Sequence, residues 1–411
     1  MKRQKGTLGC INGIRVFSMS WVILGHCILI PYASRVVQNM LYSAKEFSSR
    51  WTFQAVMNGY VSCDTFFVLS GLLVSYLTLK ELRRLEGKLN WFMFYLYRWL
   101  RLTPVYMAVL AVWVITSPFW ADGPFFPQQG LEDNSCEDSW WKNMLYINIF
   151  FYKDRICMAW SWYLATDCVF YILSPFIIYP LFRRPFYGYL SSAGFFIATT
   201  IAPFIVTMVN SFSPIKGVNV EGHVRGHQNY TLYYAPHCRM GPYIQGLILG
   251  YLMFKNSRRA NIPLLVNLLG WVVSAAVAVS VLYGLYPYAH GVKDMPLVLS
   301  AFYISLHRSA WGLSVCWVIY SCVKTGGPVN AFLSLPIFIP LGRLTYCAYL
   351  VHVPLICLFV IVQQTPMYAD DISLIFMYFG CLVATFLVAF PVSLLCESPC
   401  MGILKLYFRF D

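Results

Sequence analysis

Two ionisable side chains in the first apolar stretch of this sequence have types and spacing that suit chemistry. Arg15 and His26 lie eleven residues apart, so on a helix they project from one face, separated in depth by about 16 Å. An ionisable residue inside a membrane span is costly and is therefore a candidate for function. Imidazole can take a proton from a hydroxyl near neutral pH. The alternative is that Arg15 extends to the headgroups and His26 is a hydrogen-bonded interior histidine.

Two carboxylates are candidates for the same layer as His26. Asp64 begins the second apolar stretch, and Gly71 and Ser75 follow on its helical face. A carboxylate at that depth is predicted to orient the imidazole and stabilise its protonated form, as in hydrolytic triads. The alternatives are a boundary charge or a helix N-cap, for which Asp is favoured. Asp167, in the fourth apolar stretch, is a third candidate for this layer.

A pair of arginines has the spacing of a phosphate site. Arg98 and Arg101 share one helical face immediately before Pro104, and two guanidinium groups suit bidentate contact with phosphate. The alternative is a basic anchor against anionic lipid.

The elements that must position these residues are membrane helices. The chain is 59% hydrophobic and 11% charged, against about 25% charged for a soluble domain. Apolar runs of about 20 residues recur, each long enough to cross a bilayer. They predict an all-α, polytopic bundle of about ten spans, with an interfacial helix over 90–101 and no linker, so that 1–411 forms a single transmembrane domain. The predicted spans are 10–31, 59–79, 102–120, 160–182, 187–209, 240–255, 263–286, 302–323, 336–362 and 373–396.

The loops divide by charge into two sets, and this division predicts the orientation. One set holds 17 basic and 4 acidic residues, whereas the other holds 11 of each. By the positive-inside rule the basic set is cytosolic, which places both termini in the cytosol. The net charge of +13 thus reflects topology and does not imply nucleic acid.

The predicted luminal loops carry three further signals. Cys136 and Cys157 lie in the loop 121–159 on the oxidising side, and we predict a disulfide between them. Asn229 begins a glycosylation sequon on the same side. Histidines near the sequon lack the spacing of a zinc site, so no metal is predicted; they are His223, His227 and His237.

The motifs occur in an order that resembles a known family. The sequence is similar to the acyltransferase-three superfamily, in its animal nose-resistant-to-fluoxetine branch. The resemblance rests on Arg15 with His26, on CDTFFVLSG at 63–71, on RWLRLTP at 98–104, on WSWYLATD at 160–167, and on LGRLTY at 341–346 followed by His352. Animal members usually carry an extracellular cysteine-rich domain before the first of these helices. None is visible here, so we expect a fragment or a shortened form.

The resemblance implies a membrane-bound O-acyltransferase that moves an acyl group from cytosolic acyl-CoA to a luminal or extracellular hydroxyl. It implies His26 as the general base or nucleophile, Arg15 as its companion, and Asp64 as support for the catalytic layer. Arg98 and Arg101 would hold the CoA phosphates. The acceptor, whether lipid, sterol, glycan or peptide, is not specified, and the membrane is that of the endoplasmic reticulum or the cell surface.

Two other functions use the same residues. A transporter or lipid-handling protein could line its path with this polar face, and a silent family member could serve as a receptor or scaffold.

Overall fold

The described residues fold mainly into helices, as the composition predicts. The computed structural model describes residues 9–127, 131, 135–151, 156–214, 228–256, 262–289 and 294–407. Within those ranges there is no strand, only an isolated bridge between Val37 and Met367. In lipid every backbone polar group must be satisfied within the protein, which favours helices wherever the sequence is apolar. The prediction of an all-α membrane protein is confirmed.

Ten long helices carry the architecture. They are α1 (Cys10–Ala33), α2 (Val61–Arg84), α3 (Trp91–Thr116), α4 (Trp162–Leu173), α5 (Pro185–Asn210), α6 (Met240–Lys255), α7 (Leu264–Tyr283), α8 (Leu297–Lys324), α9 (Phe338–Ile361) and α10 (Asp371–Val392). Shorter α-helices occupy Met40–Ser49, Gln54–Met57, Trp140–Met144, Pro175–Arg183, Tyr286–Ala289, Pro328–Leu333 and Ser398–Tyr407.

Eight helical segments of the described chain are long and apolar enough to cross a membrane. They correspond to eight of the ten predicted spans. The other two predictions coincide with α6, which has only 16 residues, and with α8, whose 28 residues include His307 and Arg308.

The predicted interfacial helix over 90–101 is not a separate element. α3 begins at Trp91 after Asn90, whose side chain accepts a hydrogen bond from the Met93 N–H, and it continues through Pro104 to Thr116. Proline removes one backbone donor, and a membrane helix tolerates that loss when the flanking turns remain helical.

The chain forms two compact units. The first comprises 1–18, 45–88 and 166–342, and the second comprises 19–44, 89–165 and 343–411. That the whole chain acts as a single domain therefore stays a prediction.

Close packing of α2 against α6 organises the first unit. A Cβ on Gly71 would lie 2.2 Å from the Tyr243 carbonyl oxygen, and a Cβ on Gly246 would lie 2.2 Å from that of Val68. Small residues let membrane helices approach in this way. The close approach fixes the ends of both helices, where Asp64 and Arg239 lie.

In the second unit, side-chain hydrogen bonds to backbone tie α9 to its neighbours. The Tyr346 hydroxyl donates to the Leu102 carbonyl at 2.7 Å, and the Trp160 indole donates to the Leu350 carbonyl at 3.3 Å. The predicted disulfide between Cys136 and Cys157 is present, and the Asn143 amide donates to the Cys157 carbonyl at 2.8 Å.

Candidate active site

His26 pairs with a second histidine of the same unit. Nε2 of His352, on α9, lies 3.4 Å from Nδ1 of His26, on α1. The two rings meet edge to face, with centroids 4.9 Å apart and an interplanar angle of 74°. His352 is completely buried, whereas His26 keeps partial exposure.

Backbone carbonyls determine which ring nitrogens carry protons. Nδ1 of His26 lies 2.9 Å from the Val22 carbonyl oxygen, and Nδ1 of His352 lies 2.7 Å from that of Tyr349. A carbonyl oxygen only accepts, so each Nδ1 must donate. Nε2 of His352 is then the acceptor for the His26 Nδ1–H, which is shared with Val22.

This arrangement leaves one basic atom open. Nε2 of His26 has no hydrogen-bond partner among the described residues, and its side chain is partly accessible. A neutral imidazole with its Nδ1–H held and its Nε2 lone pair open is oriented as a general base.

The aromatic motif at 160–167 helps to position His352. The Tyr349 hydroxyl donates to the Trp160 carbonyl oxygen, and the Tyr349 ring packs against Tyr163 at 5.7 Å between centroids. Tyr349 also supplies the carbonyl that accepts from the His352 Nδ1–H. The motif thus fixes the turn of α9 that carries His352.

A groove of about 660 Å³ lies beside α9 and α10. Its wall is mostly apolar and includes Leu355, Phe359 and Phe376. Cys381, which also lines it, lies beside Cys27, the residue after His26. The groove therefore adjoins the turn of α1 that holds the candidate base.

Asp64 was predicted to lie in the same layer as His26, but the side chain that it pairs with is Arg239. Its Oδ1 accepts from Nη2 of Arg239 at 3.0 Å, and both side chains are fully buried. Arg239 also donates through Nη1 to the Tyr233 carbonyl at 3.0 Å. The N-cap of α2 is Tyr60, so the N-cap interpretation of Asp64 is wrong. That Asp64 acts on His26 stays a prediction.

Sequence reasoning missed both Arg239 and the pairing of His26 with His352. Arg239 was counted among the loop charges because it immediately precedes an apolar run. Arg343, nine residues before His352, lies nearly half a turn out of phase on the same helix, so spacing along the sequence points to no partner for His352. Pairing across helices has no signature in a single sequence.

The remaining predicted site residues lie on helices, as expected. The described structure does not bring them together with His26 in one site. Arg15 is half-buried on α1, and Asp167 is buried on α4. Arg98 and Arg101 both lie on α3, where Arg98 is half-buried and Arg101 is exposed. Their i, i+3 spacing places them on one face of that helix, and a role for them in binding CoA phosphates stays a prediction.

Metal ligands do not converge in the described part of the chain. No group of three His, Cys, Asp or Glu side chains lies close enough there to hold an ion. His223 and His227 lie outside the described residues, and His237 is exposed beside Cys238.

Comparison with known proteins places this architecture among acyltransferases. A family profile described as an acyltransferase domain matches residues 8–394. Nose resistant to fluoxetine protein 6 of Caenorhabditis elegans is 27% identical over 99% of this chain and 52% of its own length. Regulator of hypoxia-inducible factor 1, also of C. elegans, is 23% identical over 97% of this chain and 80% of its own length.

A bacterial enzyme matches the same region. An O-acetyltransferase of Staphylococcus aureus is 22% identical over 89% of this chain and 54% of its own length. The chain thus spans about half the length of the first and third of these relatives. No solved structure matches it.

Proposed function

The chain belongs to the acyltransferase family whose profile covers residues 8–394, and on that premise we propose that it is a membrane-bound O-acyltransferase with His26 as general base. One observation carries the proposal: Nε2 of His26 is open while its Nδ1–H is held by Val22 and His352. The O-acetyltransferase of S. aureus supports the reaction type.

In the proposed reaction, Nε2 of His26 takes the proton of an acceptor hydroxyl as its oxygen attacks the thioester carbonyl of acyl-CoA. The C–S bond then breaks, and the CoA sulfur receives the proton from His26, which returns to its neutral form. Products are the acyl ester and free CoA. His352 is a positioning residue, since its neutral Nε2 accepts from the His26 Nδ1–H throughout. Such proton transfer contributes on the order of 10²–10⁴-fold.

Donor binding is assigned to the arginines of α3. Arg98 and Arg101 would hold the CoA phosphates at the cytosolic face, consistent with the basic character of that set of loops. The apolar groove beside Cys381 suits the acyl chain. Arg15 is the proposed companion on the donor side of His26, and Asp64 supports the luminal layer through Arg239.

The acceptor hydroxyl would then be modified on the luminal or extracellular side, in the endoplasmic reticulum or at the cell surface. Its chemical class, whether lipid, sterol, glycan or peptide, is left open by the residues described.

The test is acyl-CoA turnover by purified protein in lipid nanodiscs, comparing the wild type with His26→Ala. We expect turnover to fall at least 10²-fold with an unchanged unfolding midpoint. His237→Ala, which removes an exposed histidine, is the matched control and should retain full turnover. Equal rates in wild type and His26→Ala would reject His26 as the base. Absence of both turnover and CoA binding in the wild type would favour a transporter.

A further inference from the structure

A second buried polar cluster lies in the first unit, and its charges do not balance. It contains two guanidinium groups, Arg239 and Arg308, and one carboxylate, Asp64. Their exposed fractions are 1%, 8% and 0%. Its one ion pair among the described residues joins Asp64 to Arg239 at 3.0 Å.

Arg308 has hydrogen-bonding capacity that the fold does not use. Its Nη1 is buried and has no hydrogen-bond partner in the described chain. Its guanidinium lies over the Tyr233 ring, 5.7 Å from the centroid. The second oxygen of Asp64, Oδ2, is likewise buried and without a partner. Rotating Asp64 toward Arg308 would leave Arg239 short of a counterion instead, so one positive charge stays uncompensated in either arrangement.

Among the described residues, the neighbouring side chains supply no second negative charge. His307 donates through Nδ1 to the Tyr303 carbonyl at 2.8 Å, so it carries no negative charge. Tyr60 and Tyr233 lie beside the Arg308 guanidinium, and Tyr303 lies beside Tyr60; a phenol is likewise uncharged. An isolated buried charge is far more costly than a paired one, and this cost suggests a ligand that brings its own charge.

We propose that Arg308 is the anchor of an anion-binding site for an oxyanion, a carboxylate or a phosphate group, which enters beside Tyr60 and Tyr233. Both tyrosines keep partial exposure at the edge of the cluster. The planar fork of a guanidinium matches the two oxygens of a carboxylate or phosphate. The oxyanion would come either from a soluble ligand or from a phospholipid headgroup, and the site does not depend on acyl transfer.

The experiment measures the thermal unfolding midpoint of the full chain in detergent free of phospholipid. Sodium acetate, sodium phosphate and a short-chain phosphatidylglycerol are each compared with sodium chloride at equal ionic strength. At a ligand concentration of about 100 times the dissociation constant, the wild-type unfolding midpoint should rise by roughly 5 °C. A rise with acetate or phosphate identifies a soluble oxyanion, and a rise with the phospholipid alone identifies a headgroup.

Variants separate binding from folding. Arg308→Met should abolish the oxyanion-dependent rise while leaving the midpoint in chloride equal to or above that of the wild type, because it removes the uncompensated charge. Arg308→Lys keeps the charge without the fork and should retain a smaller rise. Arg84→Met, at an exposed arginine paired with Glu81, is the control and should respond as the wild type does. An undiminished rise in Arg308→Met, an equal rise with chloride, or no rise in the wild type would each overturn the proposal.

Discussion

The two buried polar clusters differ in charge: one consists of neutral, hydrogen-bonded histidines, and the other contains an ion pair and an additional arginine. In the second unit, His26 and His352 are held as neutral rings by the carbonyls of Val22 and Tyr349, so nothing charged is buried. In the first unit, Arg239 and Asp64 form a fully buried ion pair beside the additional charge of Arg308. A neutral pair can gain and release a proton at little structural cost, whereas a buried ion pair is costly to break by removing one partner.

The largest effect should come from breaking the ion pair. Asp64→Asn leaves the Arg239 guanidinium buried beside Arg308 without its counterion, which should lower the free energy of unfolding by about 3–5 kcal/mol. Denaturation of purified protein in mixed micelles measures this loss. Adding Arg239→Met to the variant should recover part of it, because one stranded charge disappears. A loss below about 0.5 kcal/mol, the range of an ordinary surface substitution, would show that the pair is not buried as described.

A smaller effect should follow from altering the neutral pair. His352→Phe removes the acceptor for the His26 Nδ1–H, and loss of one such hydrogen bond, at about 1–2 kcal/mol, should lower kcat roughly 5–30-fold. His352→Gln, whose amide oxygen can accept, should restore part of kcat. Acyl-CoA turnover in nanodiscs measures both. If Phe and Gln lowered kcat equally, His352 would act through packing and not through its acceptor.

The smallest effect should come from the two arginines of α3, which are more exposed to solvent than the residues of the two buried clusters. Arg98→Gln and Arg101→Gln should each raise the KM for acyl-CoA by about 3–10-fold with little change in kcat, because they remove binding energy shared by ground and transition states. The increase should shrink at high salt, which screens exposed charges. Arg35→Gln, at an exposed arginine of a loop predicted on the opposite side, is the control. Unchanged KM values in both variants would show that Arg98 and Arg101 do not bind the CoA phosphates.

The disulfide and the helices were accessible from sequence because they depend on local composition. Cys136 and Cys157 lie in one loop that was predicted on the oxidising side, and they are bonded. The sixth predicted span, 240–255, is the shortest of the ten, and it is present as α6 with 16 residues. The predicted boundary between the interfacial helix 90–101 and the span 102–120 is wrong, because α3 runs unbroken from Trp91 to Thr116.

The sequence by itself determined that this is an all-helical membrane protein, which ionisable residues lie within its apolar runs, and which family it resembles. Each of these follows from hydrophobicity and residue order along the chain. Only the tertiary structure decided that His26 meets His352, that Asp64 meets Arg239, and that Arg308 has no counterion of its own among the described residues. The two contacts join residues 326 and 175 positions apart, where partner choice depends on how helices pack.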